Sequence, residues 1–154
     1  MNPGTANRSP RLELAVQYAV RARGLPSHAQ FRRWARAALE RDARVTVRIV
    51  GGREAQALNR KFRHRDRPTN VLTFVMRTWP RLEGDLALCA PLIAHEARAQ
   101  HKSAAAHYAH LVVHGVLHLQ GYDHEAGREA REMERRESRI VTRLGYPDPY
   151  EDQG

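Results

Sequence analysis

The stretch "AAAHYAHLVVHGVLHLQG", residues 104–121, decides how the rest of the chain is arranged. Its residues are mostly apolar on every side of a helix, and a helix of that kind is buried rather than laid on a surface. Gly121 follows the last apolar turn, and glycine accepts the left-handed conformation with which helices commonly end. We therefore predict a long central helix over 104–120, around which the other elements pack.

Three histidines stand at the end of this segment, in "HGVLHLQGYDH" (114–124). His114 and His118 are four residues apart, so on a helix they lie about 40° apart on one face. Gly121 allows the chain to turn back and bring His124 over the same face. Three neutral imidazoles with one open position are typical of a catalytic zinc site. We therefore predict one divalent metal ion, Zn²⁺, bound by these three histidines; the alternative is a set of core or surface histidines.

The spacing H-x-x-x-H-x-x-G-x-x-H is shared with the metzincin proteases, whose general base is a glutamate directly after the first histidine. Here that position holds Gly115, so the proton shuttle for peptide cleavage is missing. The same metal arrangement without this base indicates a different electrophile. His107 and His110 extend one side of the helix, either as interior histidines or as groups that support the metal ligands.

Strands and helices interleave along the rest of the chain. Three segments have the β-branched, alternating or short apolar pattern of strands: 44–50, 71–76 and 84–90. Four more have helical periodicity: 27–40, 53–63, 91–102 and 125–145. The segment 11–20 fits a strand or a short helix. This order predicts an α+β fold in one domain over 1–154, with a small mixed β-sheet surrounded by helices.

Length and composition restrict the setting in which the chain works. No stretch approaches the roughly 20 apolar residues that span a bilayer, and the polar start "MNPGTANRSP" is not a secretory signal. Cys89 is the only cysteine, so no internal disulfide can form. We expect a cytoplasmic protein with no membrane partner.

Charge is distributed unevenly between the two halves of the chain. The formal net charge is +9, but residues 1–68 have a balance of +11 and residues 69–154 a balance of −2. A basic half attracts polyanions, of which nucleic acid is the commonest in a cytoplasm. The alternative is compositional, because 24 of the 26 basic residues are arginine, as a GC-rich genome would favour.

A run of basic side chains precedes one of the predicted strands, in "NRKFRHRDRPTNVLTF" (59–74). Cleavage of a phosphodiester builds negative charge on its nonbridging oxygens, which a metal ion and an arginine stabilise together. The planar guanidinium donates two hydrogen bonds in a geometry that fits phosphate. By itself, the run fits a solvated basic loop equally well.

Four segments together resemble one known family. "HLVVHGVLHLQGYDH" (110–124) strongly resembles the signature H-G-x-L-H-L-x-G-Y-D-H of the bacterial YbeY family, metal-dependent endoribonucleases of ribosomal RNA maturation. "FRHRDRPTNVLTF" (62–74) is similar to the family's segment that runs from an arginine through P-T-[ND]-V-L-[ST]-F. "EGDLALC" (83–89) and "REMERRESRIVTRLGY" (131–146) resemble its G-D-[IL] strand and acidic C-terminal helix. The resemblance covers about residues 44–150, and residues 1–43 match only loosely.

The resemblance implies roles for particular residues. His114, His118 and His124 match the family's metal ligands, and Arg63 matches the arginine that the family pairs with the metal centre, so Arg63 and His114 are the expected catalytic residues. Lys61 and Arg65 are expected to contact RNA beside Arg63. Two departures, His64 and Val75, bear on loop conformation rather than on chemistry.

Three functions remain open from the sequence. The first is an endoribonuclease of single-stranded RNA that acts on ribosomal RNA precursors or defective ribosomes, with the ribosome or ribosomal proteins as partners. The second is a non-catalytic ribosome-assembly factor whose zinc is structural. The third is a metallohydrolase of another substrate, with peptides disfavoured by Gly115. Asp85 and Asp123 are candidates for a general base by residue type only, and Asp123 is better suited to orienting a histidine or capping the turn at Gly121.

Overall fold

The structure, a computed structural model, describes residues 9–63, 69–122 and 127–151, with the backbone alone for Arg63. Within these ranges the strands are β1 (Leu12–Tyr18), β2 (Ala43–Val50), β3 (Val71–Arg77) and β4 (Leu82–Cys89). The helices are α1 (His28–Ala38), α2 (Gly52–Arg63), α3 (Ala90–Ala99), α4 (Ala104–Leu119) and α5 (Gly127–Arg143). The predicted α+β class is confirmed, and the segment that fitted either a strand or a helix forms β1.

The four strands form one mixed sheet in the order β1-β2-β4-β3. β1, β2 and β4 are mutually parallel, and β3 pairs with β4 in the antiparallel sense. Parallel neighbours need a crossover connection, and α1 supplies it between β1 and β2. Its N-terminus is fixed by a capping box, in which Ser27 and Gln30 exchange side-chain and backbone hydrogen bonds.

One face of the sheet carries most of the core. Val45, Val47 and Ile49 of β2 and Leu86 and Leu88 of β4 are fully buried on this inner face. Helices α1 and α4 cover it, and eleven of the sixteen residues of α4 are buried. The predicted central helix is confirmed. None of the helices in the described ranges is both long and apolar enough to cross a bilayer.

Two glycines let α4 lie directly against the sheet. A Cβ atom at Gly115 would come within 2.7 Å of the Leu86 Cδ2 atom, and one at Gly84 within 2.7 Å of the Leu119 Cδ2 atom. Cβ atoms essentially never come so close to another atom, so a side chain at either position would force these leucine side chains to shift. The glycine that follows the first histidine of the motif therefore allows the close contact between α4 and β4.

The opposite, outer face of the sheet is covered only in part by α2. Val50, Ala55 and Cys89 form a second, smaller buried cluster with Leu92 beside it. The single cysteine is thus a buried thiol.

Helix α5 packs against α4 and is followed by a short ordered tail. Met133 and Val141 are buried on its inner side, and Glu137 lies between them. Beyond Gly145, the carboxylate of Asp148 accepts hydrogen bonds from the Ser138 hydroxyl at 2.7 Å and from the Tyr150 backbone N–H at 2.9 Å. The tail is therefore held against the helix from which it emerges.

Candidate active site

Four histidines lie along one side of α4. His107, His110, His114 and His118 are separated by three or four residues, which places them on a continuous stripe of the helix. His107 is buried, whereas His110, His114 and His118 are half-buried. The stripe thus passes from the interior to the protein surface.

His118 is oriented by the turn that ends the helix. Its Nδ1 atom lies 3.1 Å from the carbonyl oxygen of Tyr122. A carbonyl can only accept, so Nδ1 carries the proton and donates. In the neutral ring, the lone pair is then on Nε2, the tautomer in which a histidine binds metal through Nε2. Gly121, at φ +102°, makes the turn that brings this carbonyl back to the ring.

His114 faces a carboxylate in the same way. Its Nδ1 atom lies 3.2 Å from the Oε2 atom of Glu137 on α5. The Glu137 side chain is 1% exposed and that of His114 is 20% exposed. A carboxylate beside Nδ1 favours the tautomer that again leaves the lone pair on Nε2. The two histidines that are four residues apart therefore share one arrangement, with an oxygen acceptor beside each Nδ1.

Glu137 is the centre of a buried polar cluster. Its Oε1 atom accepts a hydrogen bond from the Tyr150 hydroxyl at 2.8 Å and lies 2.8 Å from the Nε2 atom of His110. Burial raises the pKa of this carboxyl group, but the contacts with His110, His114 and Tyr150 outweigh burial and bring the pKa down to about 2. Glu137 is therefore ionised in the interior. Burial and the neighbouring Glu137 raise the pKa of Tyr150, so its hydroxyl stays protonated as a donor.

A second carboxylate–histidine pair stands at the other end of the stripe. The Nε2 atom of His107 lies 2.8 Å from the Oε1 atom of Glu96, which also accepts from the Asn70 side-chain amide at 3.1 Å. Burial lowers the pKa of His107. This pair connects α3 and α4 to the residue that precedes β3. Sequence reasoning left His107 and His110 as interior or supporting residues, and both contact a carboxylate.

Two of the predicted RNA-binding residues, Lys61 and Arg63, lie at the end of α2. Arg63 is the last residue of this helix, and its side chain is outside the described part. Lys61 is exposed, with its ammonium nitrogen 5.2 Å from the ring centroid of Phe62. Phe62 in turn packs edge-on against Phe74 of β3, at a centroid distance of 5.2 Å. Arg65, the other predicted RNA contact, also lies outside the described residues.

Of the three predicted metal ligands, His114 and His118 are described and His124 is not. Within the described ranges, no group of three potential metal-binding side chains converges, as expected when one of the three lies outside them. The donor chemistry of the two described imidazoles fits a zinc-like ion, because each has an acceptor beside Nδ1. Glu137 Oε2 is also buried with no hydrogen bond, and the His114 Nδ1 atom lies 3.2 Å from it.

Of the two candidate general bases, Asp85 lies within the described residues and Asp123 does not. Asp85 follows Gly84, which lies against α4, and successive residues of a strand point to opposite faces. Asp85 therefore lies on the outer face, where it pairs with Phe74 and burial raises its pKa. The structure does not bring it to the histidines on α4. Asp123 lies outside the described residues.

Comparisons with known proteins identify the family of the chain. The family described as Endoribonuclease YbeY matches residues 22–145. The chain belongs to the YbeY endoribonuclease family. It is 54% identical to the Endoribonuclease YbeY of Aromatoleum aromaticum, over 97% of this chain and 99% of that protein. It is 55% identical to the one from Thiobacillus denitrificans, over 92% and 98% of the two chains.

A solved structure resembles the fold as a whole. The solution structure of TM1509 from Thermotoga maritima superposes with a TM-score of 0.58 at 25% identity, covering 93% of this chain and 98% of that one. The YbeY match begins at residue 22, so the family extends further toward the N-terminus than the motifs after residue 44 indicated. It includes α1 and therefore one of the two helices on the inner face of the sheet.

Sequence reasoning missed Glu137 and Tyr150. One signal could have revealed Glu137: Met133, Glu137 and Val141 recur every four residues, which puts an acidic residue on the apolar stripe of a charged helix. An acid on such a stripe requires a buried partner. Tyr150 lies in a tail without periodicity, and no comparable signal marks it.

Proposed function

We propose that this chain is a metal-dependent endoribonuclease that cleaves single-stranded RNA during the maturation of ribosomal RNA. Its metal ligands are His114, His118 and His124, its ion is Zn²⁺, and Arg63 contacts the phosphate that is cleaved. Family membership supports the reaction class. The ribosome or its proteins are the proposed partners, and the cytoplasm, where ribosomal RNA precursors are found, is the proposed location.

One observation carries the metal site. Two imidazoles four residues apart on α4 each have an oxygen acceptor beside Nδ1: the Tyr122 carbonyl at 3.1 Å and the Glu137 carboxylate at 3.2 Å. Histidines that only fill a core need no common tautomer. Metal-binding histidines regularly hold the second ring nitrogen in this way.

The reaction assigns separate roles to the residues of the chain. His114 and His118 present Nε2 atoms from a rigid helix, and the turn at Gly121 leads toward His124. A zinc-like ion bound there would polarise the phosphodiester and make a bound water acidic. Arg63 donates hydrogen bonds to a nonbridging phosphate oxygen as negative charge grows on it. Lys61 and Arg65 hold the RNA backbone next to Arg63.

Gly115 explains why the same histidine spacing does not serve peptide cleavage. The metzincin base would have to stand at this position, and a Cβ atom there would come within 2.7 Å of Leu86 Cδ2. A glutamate at this position would therefore force the Leu86 side chain to shift. This favours a phosphodiester, whose cleavage uses a metal and a cation, as the substrate.

The test combines metal content and RNA cleavage. Purified wild-type protein is expected to hold about one zinc-like ion and to cut single-stranded ribosomal RNA precursor, and His118→Ala is expected to lose both. His28→Ala is the matched control, because His28 is an exposed histidine remote in sequence from the motif. Equal metal content in wild type and His118→Ala would reject the site. Metal binding without any cleavage would favour the non-catalytic assembly factor.

A further inference from the structure

The proposed function places Glu137 beside His114 but assigns this buried side chain no part in the reaction. Glu137 is 1% exposed and lies between Met133 and Val141 on the apolar side of α5. A carboxyl group in the interior is costly unless it is paired and hydrogen-bonded. A methionine or leucine would fill the same place without that cost, so the carboxylate calls for a reason beyond packing.

We infer that Glu137, braced by His110 and Tyr150, is a positioning residue that holds the His114 ring in the tautomer and orientation that metal binding requires. The inference rests on the proposed metal site, since His114 is one of its ligands. It assigns to α5 and to the C-terminal tail a role in a site whose described ligands both lie on α4.

The two oxygens of Glu137 have different neighbours. Oε1 accepts from the Tyr150 hydroxyl and lies 2.8 Å from His110 Nε2. Oε2 accepts no hydrogen bond, and His114 Nδ1 lies 3.2 Å from it. Two contacts on one oxygen fix the rotation of the carboxylate and leave the second oxygen directed at the ligand. A carboxylate that orients a metal-bound imidazole needs this arrangement, with one oxygen held by other groups and the second facing the ring.

The bracing groups are themselves anchored. Tyr150 donates to Glu137 from the tail, and its own backbone N–H donates to Asp148. Asp148 also accepts from Ser138, the residue that follows Glu137 on α5. His110 packs edge-on against the Tyr150 ring, with centroids 5.3 Å apart. The carboxylate therefore cannot change rotamer without disturbing both the tail and α4.

A purely structural role for this cluster makes a different prediction. If Glu137 only satisfied neighbouring donors, replacing it by an apolar side chain of similar size would leave metal binding unchanged, and would keep or raise stability. If it positions His114, the same replacement would weaken metal binding even where the fold is equally stable. Glu137→Met and Glu137→Gln separate the two roles.

The first measurement uses metal-free protein and needs no activity. Long-range ¹H–¹⁵N correlation spectra report which ring nitrogen of His114 carries the proton, at a mildly alkaline pH where imidazoles are ordinarily neutral. We expect the Nδ1–H form in wild type and in Glu134→Gln, a matched control that removes an exposed carboxylate from the same helix. Glu137→Met is expected to show a mixture or the Nε2–H form. An unchanged His114 spectrum in Glu137→Met would overturn the inference.

The second measurement is zinc affinity by competition with a chelator. Loss of a group that orients a metal-binding histidine typically costs 10–100-fold in affinity, so we expect about that loss for Glu137→Met. Glu137→Gln, which keeps an acceptor oxygen, is expected to recover part of it, and Tyr150→Phe is expected to lose less. Thermal unfolding of the metal-free variants shows whether the fold survives.

The outcomes distinguish this inference from the proposed function. If His118→Ala loses zinc while Glu137→Met binds it like wild type, the metal site stands and the role of Glu137 is rejected. If His118→Ala binds zinc as tightly as wild type, the proposed site is wrong and the inference falls with it. Weaker binding in Glu137→Met, with wild-type affinity in Glu134→Gln, supports both.

Discussion

The Nδ1 atom of His118 lies 3.1 Å from the carbonyl oxygen of Tyr122, four residues further along the chain. The contact spans the end of α4 and exists because Gly121 adopts φ +102°, which reverses the chain there. The Tyr122 backbone N–H also donates to the Leu117 carbonyl at 3.2 Å. One turn therefore ends the helix, orients a proposed ligand and leads the chain toward His124.

Substitution of Gly121 tests this turn. Gly121→Ala is expected to destabilise the protein by about 1–2 kcal/mol, because a left-handed backbone is costly for a residue with a Cβ atom. An added Cβ would meet nothing within 4 Å, so backbone conformation alone causes the effect. Zinc affinity is expected to fall as well, since the Tyr122 carbonyl moves. Thermal unfolding and chelator competition measure the two effects.

Gly52→Ala is the control for this experiment. Gly52 is the first residue of α2, its φ is not positive and an added Cβ would meet nothing within 4 Å. We expect a neutral or slightly stabilising change, on the order of 0.4–1 kcal/mol, from the reduced freedom of the unfolded chain. If both variants behave alike, the turn at Gly121 carries no special conformational demand.

Close packing at Gly115 leads to a second prediction. Gly115→Ala is expected to destabilise the protein by up to about 2 kcal/mol, because overpacking of a core typically costs about 1–3 kcal/mol and better helix propensity returns up to about 1 kcal/mol. The added Cβ would meet the two Cδ atoms of Leu86 at 2.7 and 3.2 Å. Shortening that side chain should remove the clash. Leu86→Val combined with Gly115→Ala is therefore expected to lose less than the sum of the single variants in denaturant unfolding.

The sequence predicted the framework of the fold because local patterns determine it. Alternation predicted β2, apolar periodicity predicted α1 and α4, and the predicted helical segment 27–40 begins within one residue of α1. The segment 11–20 remained ambiguous, since "RLELAVQYAV" alternates only at its start. Its pairing with β2, which places Leu14 beside Val45 and Val16 beside Val47, is a tertiary contact and makes it a strand.

The site was predictable only where its residues are close in sequence. His114 and His118 share a helix face, so spacing alone brings them together. Glu137 reaches His114 from another helix, and Tyr150 reaches Glu137 from the tail; those approaches depend on how α5 packs on α4. Asp85 shows the reverse case, because its residue type suggested a base while strand alternation places it on the other face of the sheet.

RNA binding through the basic half of the chain is expected to depend on salt. Each phosphate contact on a single strand contributes about −0.7 to the slope of log affinity against log salt concentration. Lys61→Ala is expected to weaken binding modestly and to make the slope shallower by about that amount. Fluorescence anisotropy with a labelled single-stranded RNA, from low to physiological ionic strength, measures the slope.

An arginine in the other half of the chain provides the control. Arg139 is exposed on α5, within residues 69–154, whose charge balance is −2. Arg139→Ala removes the same charge and is expected to leave the slope unchanged. Binding that does not respond to salt, or an equal change in both variants, would contradict a basic surface centred on the end of α2.

Arg63 is distinguished from the neighbouring cations by its position. It is the last residue of α2, so its backbone is fixed by the helix, and the resemblance to the YbeY family motif implies an arginine with a catalytic role at this position. Phe62, the preceding residue, packs against Phe74 of β3 at a ring distance of 5.2 Å. That contact joins the end of α2 to the strand next to α4. These features favour Arg63 as the cation that works with the metal.

Arg63→Ala is expected to lower the RNA cleavage rate about 10²–10³-fold, the usual cost of one preorganised electrostatic donor. Arg63→Lys is also expected to be poor, because a point charge does not reproduce the planar pair of donors. Both variants should keep the metal content of wild type, since Arg63 is not a proposed ligand.

Arg65→Ala, which removes the same charge two residues away, is expected to weaken RNA binding with little effect on cleavage at saturating RNA. Single-turnover cleavage of ribosomal RNA precursor measures all three, and an equal loss in Arg63→Ala and Arg65→Ala would reduce Arg63 to one part of a basic surface.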